Sequence, residues 1–152
     1  MSVKVEVKSM NPRGIKLYSS SLKKKFMVAL NISGNDVRNS AIELINSGVK
    51  SGRRYGKHQA SAPGQAPATD TGVLRNNIVV SSNAEKLEVE VASRAKYSKF
   101  LEFGTVNMKA RPFMFPAFEM NKPKIRRRFA KVKGRAKWVY IHKTCKSAYL
   151  TL

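Results

Sequence analysis

A chain of 152 residues is long enough to bury one hydrophobic core and too short for two, so a single domain over residues 1–152 is expected. Thirty Lys and Arg against nine Asp and Glu leave a formal charge of +21, far beyond what solubility asks of a small domain, and point to an anionic neighbour. A lone Cys145 excludes an internal disulfide, the distant His58 and His142 exclude zinc at any usual spacing, and no run reaches the roughly 20 apolar residues of a membrane span; no cofactor, metal or membrane partner is expected.

At the N-terminus Val3, Val5 and Val7 alternate with Lys4, Glu6 and Lys8, the pattern of a short strand with one β-branched face. A signal peptide would be continuously apolar there, so synthesis in the cytosol is expected and Asn31 in "NIS" is an idle sequon. Asn11, Pro12 and Gly14 end the strand. From about Ser19 to Ser47, Leu22, Phe26, Leu30, Val37, Ala41, Leu44 and Ile45 recur at three- and four-residue steps and predict a long helix with a buried face. Ser33, Gly34 and Asn35 interrupt it at a cost of about 1 kcal/mol for the glycine, which leaves a kink or two shorter helices open.

Residues 48–69 carry no periodicity and few large apolar groups, only Gly, Ser, Pro and Ala with Lys50, Arg53, Arg54 and Lys57, and read as a long flexible loop. Asp70 or Thr71 then offers a cap for one helical turn, and "NIVVSS" and "KLEVEVAS" form a hairpin through Asn83, Ala84 and Glu85, with Leu87, Val89 and Val91 facing in and Glu88 and Glu90 out. In "AKYSKFLEFGT", Tyr97, Phe100, Leu101 and Phe103 are expected to pack on the sheet, and Gly104 is placed for a left-handed helix stop. Pro112 and Pro116 bracket "FMF", a basic helix runs from about Pro116 to Lys131, and "KWVYIHKTCKSAYLTL" reads as a further strand. The expected fold is α+β: a long N-terminal helix packed on a small antiparallel sheet, a flexible loop, and a basic C-terminal helix and extension over about 121–152.

Enzymatic chemistry has little to stand on. "GRRYGK" lacks the four-residue glycine spacing, the Lys-Ser/Thr and the preceding buried strand of a phosphate loop. Asp70, Glu102 and Glu119 are unpaired in sequence and have no nearby His. Glu102 lies in an aromatic segment, where it is either a solvated surface group or a desolvated one that needs a cation such as Arg111. After Glu119 no acid remains, while eleven basic residues follow between Lys122 and Lys146. Arg126, Arg127, Arg128, Lys131, Lys133, Arg135 and Lys137 therefore form the candidate nucleic-acid-facing set, attracting phosphate without reading sequence. The competing reading, a merely solvated face, is weakened by the missing acids. Phe129, Trp138 and Tyr140 between these cations either stack on bases or anchor the tail to the core, and their two- and nine-residue separations favour anchoring.

"APGQAPATDTGVLRNNI", "YSKFLEFGT" and "ARPFMFPAFE", in that order, resemble the neck or tail-completion proteins of long-tailed bacteriophages, over roughly residues 15–130. The resemblance implies a non-enzymatic ring component of the virion head–tail junction, assembled in the host cytoplasm. Its implied partners are further copies of itself, head-completion and tail-tube proteins, and double-stranded DNA without sequence preference. It makes Asp70, Thr71, Gly72, Leu74 and Arg75 a loop-to-sheet junction, Glu102, Phe103, Gly104 and Thr105 a turn, and Arg111, Pro112 and Phe113 the lead-in to the last helix. In such a ring the loop residues Arg53, Arg54, Lys57, Pro63 and Pro67 are expected to meet a neighbouring subunit. The alternative is a free cytosolic basic nucleic-acid-binding protein, which would act as a monomer or dimer rather than a closed ring.

Overall fold

The computed structural model describes residues 2–6 and 20–133. A three-stranded antiparallel sheet is ordered β1 (Ser2–Glu6), β5 (Glu88–Ser93), β4 (Ile78–Asn83), so among the described residues the first strand pairs with the last. Val3 lies opposite Val91 and Val5 opposite Val89, while Val80 faces Val91 from the other side. The strands β2 (Arg54–Tyr55) and β3 (His58–Gln59) make a separate two-stranded ladder inside the segment read from sequence as irregular. Around the sheet stand the long helix α1 (Ser20–Asn46), the single turn α2 (Val73–Asn76), the short α3 (Ser98–Phe103) and α4 (Met114–Lys133). This is the expected α+β arrangement, with a second small sheet.

Helix α1 is continuous through the interruption. Ser33 Oγ donates to the Ala29 carbonyl at 2.7 Å, which satisfies a fully buried hydroxyl. A Cβ at Gly34 would stand 2.5 Å from Val89 Cγ1, so the missing side chain lets the helix lie against β5. The glycine's helix-propensity cost is offset by that close approach.

Phe26, Leu30, Val37, Ala41 and Ile45 of α1 meet Val89, Val91 and Ile78 of the sheet in one buried cluster, which Phe113 and the α4 residues Met114, Ala117, Phe118, Ile125 and Phe129 complete. Buried residues on α4 recur at three- and four-residue steps, and its Phe129 ring stacks on Phe26 with centroids 6.1 Å apart. Phe129 is therefore a core anchor, not a base-stacking surface. Asn121, buried on the same stripe, is held by Nδ2 donating to Ser40 Oγ at 2.8 Å and to the Ala117 carbonyl at 2.9 Å.

In the β4–β5 hairpin, Asn83 Oδ1 accepts from the N–H groups of Glu85 and Lys86, both at 3.0 Å, and the turn runs on to Leu87, whose φ is 49°. Leu87 accordingly sits in the turn, partly buried, rather than in the strand. The candidate strand after Gly134, and with it Arg135, Lys137, Trp138 and Tyr140, lies outside the described residues.

Candidate assembly and nucleic-acid interfaces

The segment from α3 to α4 is organised by one carboxylate. Glu102 is 5% exposed, and its Oε2 accepts from the backbone N–H of Phe113 at 2.9 Å and Met114 at 3.1 Å while Oε1 accepts from Phe115 at 2.8 Å. A helix start leaves its first N–H groups unpaired and carries partial positive charge, and a buried carboxylate answers both. The counter-charge expected from Arg111 is not the partner: among the described residues no ion pair joins the two, and Arg111 Nε is itself buried without a hydrogen bond. Three backbone amides already fixed by the helix compensate Glu102 without the entropy cost of holding a long arginine side chain in place. Arg111 contributes instead through its backbone N–H, which donates to the Leu101 carbonyl at 2.6 Å.

Gly104 closes α3 with φ 77° and ψ −175°, a conformation essentially confined to glycine. This is a positive-φ stop as expected, though extended in ψ rather than left-handed helical. Thr105 and Met108 then exchange backbone bonds of 2.8 and 3.2 Å, forming a tight turn tipped by Val106 and Asn107. Phe113 is fully buried and Pro112 half-buried, so the Arg-Pro-Phe lead-in places one side chain in the core.

The aromatic residues of α3 do not pack on the sheet. Tyr97, Phe100 and Phe103 are 43%, 44% and 51% exposed, and only Leu101 of the four expected residues leans on the core. The reason is helical phase: Ser98 and Glu102, four apart, take the inward face, which turns 97, 100 and 103 outward. Lys99 Nζ lies 4.9 Å from the Phe100 ring centroid.

Neither Asp70 nor Thr71 caps α2; the cap residue is Gly72, at φ 76°, with no side-chain cap bond. Asp70 Oδ2 is drawn instead to His58 Nδ1 at 2.7 Å, joining the β3 strand to the loop-to-sheet junction. Leu74 is buried there, Thr71 is exposed, and Arg75 Nη1 donates to Asn46 Oδ1 at 3.3 Å. The loop is tied at its base and middle, where Thr69 Oγ1 donates to the Ile45 carbonyl at 3.1 Å and the Gly64 N–H to the Ala110 carbonyl at 2.9 Å. Arg53, Arg54, Lys57 and Pro63 are exposed, whereas Pro67 is buried in its own chain and offers little surface to a neighbour.

On α4 the cations divide by helical phase. Lys124, Arg127, Arg128 and Lys131 line one shallow groove, as residues spaced by three, four and seven must. Lys124, Arg126, Arg127 and Lys131 are exposed. Arg128 is not free for phosphate in the same way: its Nη2 pairs with Asp36 Oδ2 at 2.6 Å and its Nη1 donates to Ser33 Oγ at 2.8 Å. Lys124 Nζ also reaches Asp36, at 3.3 Å. The sequence gives no sign of this role for Asp36, because nothing local marks a helical aspartate as the partner of an arginine 92 residues on. Lys133 belongs to α4.

Among the described residues no group of His, Cys, Asp and Glu could hold a metal ion, and no helix is long and apolar enough to cross a membrane. A family model, HK97-gp10-like, described as "Bacteriophage HK97-gp10, putative tail-component", matches residues 8–104, just under two thirds of the chain. No curated protein and no solved structure matches it.

Proposed function

The chain belongs to the HK97-gp10-like family and is a phage tail-related structural protein, and from that premise we propose that it forms a ring at the head–tail junction, completing the tail or joining it to the capsid around the DNA passage. It acts by assembly, without catalysis, alongside head-completion and tail-tube proteins. The observation that carries the DNA-bordering role is the exposed Arg126, Arg127 and Lys131 of α4, which, unlike Lys124 and Arg128 with Asp36, make no ion pair among the described residues. Electron microscopy of particles labelled on this protein is expected to place a closed ring of label between capsid and tail; label elsewhere on the tail would overturn the reading.

The DNA-bordering role is tested by changing Arg126, Arg127 and Lys131 together to Gln, sparing the ion-paired Arg128. Binding to duplex DNA is expected to weaken for all sequences alike, with the slope of log affinity on log salt flattening by about 0.9 for each phosphate that is no longer neutralised. If the triple variant binds duplex DNA as the parent does while tails fail to join heads, the cations serve an acidic protein partner instead. Arg128→Gln is expected to behave differently, lowering stability by about 2 kcal/mol through loss of its charged hydrogen bonds to Asp36 and Ser33. Denaturant melts of the two variants side by side separate the roles.

The loop is proposed to act as an assembly arm, mobile at its tip in the free chain because ordering costs roughly 1–2 kcal/mol per residue and few apolar groups there offset it. Trypsin is expected to cut first at the exposed Arg53, Arg54 or Lys57, and to spare them in the assembled particle. Equal protection in both states would count against the arm.

A further inference from the structure

The outward face of α3 is open and apolar. Tyr97, Phe100 and Phe103 line it at three-residue steps, and three residues on Val106 stands fully exposed at the tip of the Thr105–Met108 turn. A β-branched apolar residue is an unusual choice for a turn tip, where Asn, Asp and Gly are favoured. The rim is cationic, with Arg94, Lys96, Lys99 and Lys109 all exposed, and the lone acid between residues 91 and 118 is the buried Glu102.

The opposite end of β5 has the complementary character. A shallow groove there is lined by Ser81, Ser82, Asn83, Lys86, Glu88 and Glu90, with Glu85 exposed at the turn beside it. Since Val89 and Val91 face the helices, Glu88, Glu90 and the half-buried Ala92 lie on the outward face of the sheet, next to the half-buried Val79. Elsewhere Asp36, Asp70, Glu102 and Glu119 are each held by a partner, and Glu43 stands exposed on α1 with no side-chain partner among the described residues. The hairpin thus gathers three of the nine acids of a strongly basic molecule, Glu85, Glu88 and Glu90, within six residues.

We infer that these two surfaces are the halves of one contact: the aromatic face of α3 on one copy docks on the outer, acidic end of the β4–β5 hairpin of the next. The inference rests on the ring reading above and says which surfaces build it. β5 is six residues long, so its ends lie about 17–20 Å apart, with the hairpin turn before one and the lead-in to α3 after the other. Two different patches on one chain make a head-to-tail contact, which closes into a ring when its rotation allows. Three aromatic side chains of about 150–250 Å² each, half of it exposed, supply a substantial share of the roughly 800 Å² per partner in a standard interface. The charges set orientation, because face-to-face or groove-to-groove pairing would bring like charges together.

The test is sedimentation velocity on the full chain and two double variants, Lys96→Glu with Lys99→Glu and Glu85→Lys with Glu90→Lys. The parent is expected to form multimers. Each variant is expected to lose them, with association at least about 100-fold weaker, while remaining folded; the variant carrying Glu90→Lys is expected to melt somewhat below the parent, because its new lysine stands opposite Lys4 across the β1–β5 ladder. An equimolar mixture of the two variants is expected to recover multimers, since each then presents the charge its neighbour needs. Multimers that survive both reversals would overturn this contact and leave the ring reading intact. Failure of the mixture to recover them, or a parent that stays monomeric, overturns the contact too; the ring itself is judged separately by the label imaged on particles.

Discussion

Glu102→Ala is expected to lower stability by about 3 kcal/mol or more, because it leaves three backbone N–H groups at the start of α4 without their acceptor in a buried site. For a chain of this size that corresponds to a fall in melting temperature of roughly 10 °C. The loss has two parts: charge-assisted hydrogen bonds, each about twice as strong as neutral ones, and the favourable placement of an anion at a helix start. Glu102→Gln keeps one oxygen but turns an amide donor toward other donors, so it is expected to recover only a minor part. Glu102→Asp keeps the charge one methylene short of its three partners and is expected to fall between Gln and the parent. Thermal unfolding of the three variants gives the order Glu, Asp, Gln, Ala; an alanine variant as stable as the parent would show that water replaces the carboxylate at no cost.

Gly104→Val is expected to be at least as damaging. A β-branched residue at φ 77° and ψ −175° carries backbone strain of about 1–3 kcal/mol before any contact is counted. The added Cβ would also stand 2.6 Å from the Met108 carbonyl oxygen and 2.9 Å from the Ala110 nitrogen, both backbone atoms that cannot swing aside. Relief requires opening the Thr105–Met108 turn, which disturbs the Ala110 carbonyl that holds Gly64 of the loop. Loss of soluble folded protein, or of assembly in a chain that still folds, is the expected result; a stable, assembly-competent valine variant would show that the position tolerates a side chain. Together the two substitutions probe one structural unit, since α3, its stop and the start of α4 are fastened by Glu102 and Gly104.

How much of this is legible from the sequence depends on range. The long helix, the hairpin and the basic helix follow from periodicity, which acts within a few residues: Phe26, Leu30, Val37, Ala41 and Ile45 mark a buried stripe whatever they pack against. The positive φ at Gly104 is visible for the same reason, as a glycine ending an apolar helical run. The small ladder at Arg54–Tyr55 and His58–Gln59 leaves no such trace, because two-residue strands are too short for an alternation to register.

By itself, then, the amino-acid sequence determined the charge, the elements with a period, and the order of motifs that marks the family. Only the tertiary structure decided which face of each element is used. It turned Tyr97, Phe100 and Phe103 outward because the inward turn of α3 was claimed by Glu102, and it withdrew Arg128 from the cationic surface by placing Asp36 opposite it. It seated β1 against β5 although more than 80 residues separate them, from Glu6 to Glu88. Those outcomes depend on partners distant in sequence, and a carboxylate or a cation carries no local record of the amide or charge it will meet once the chain has folded.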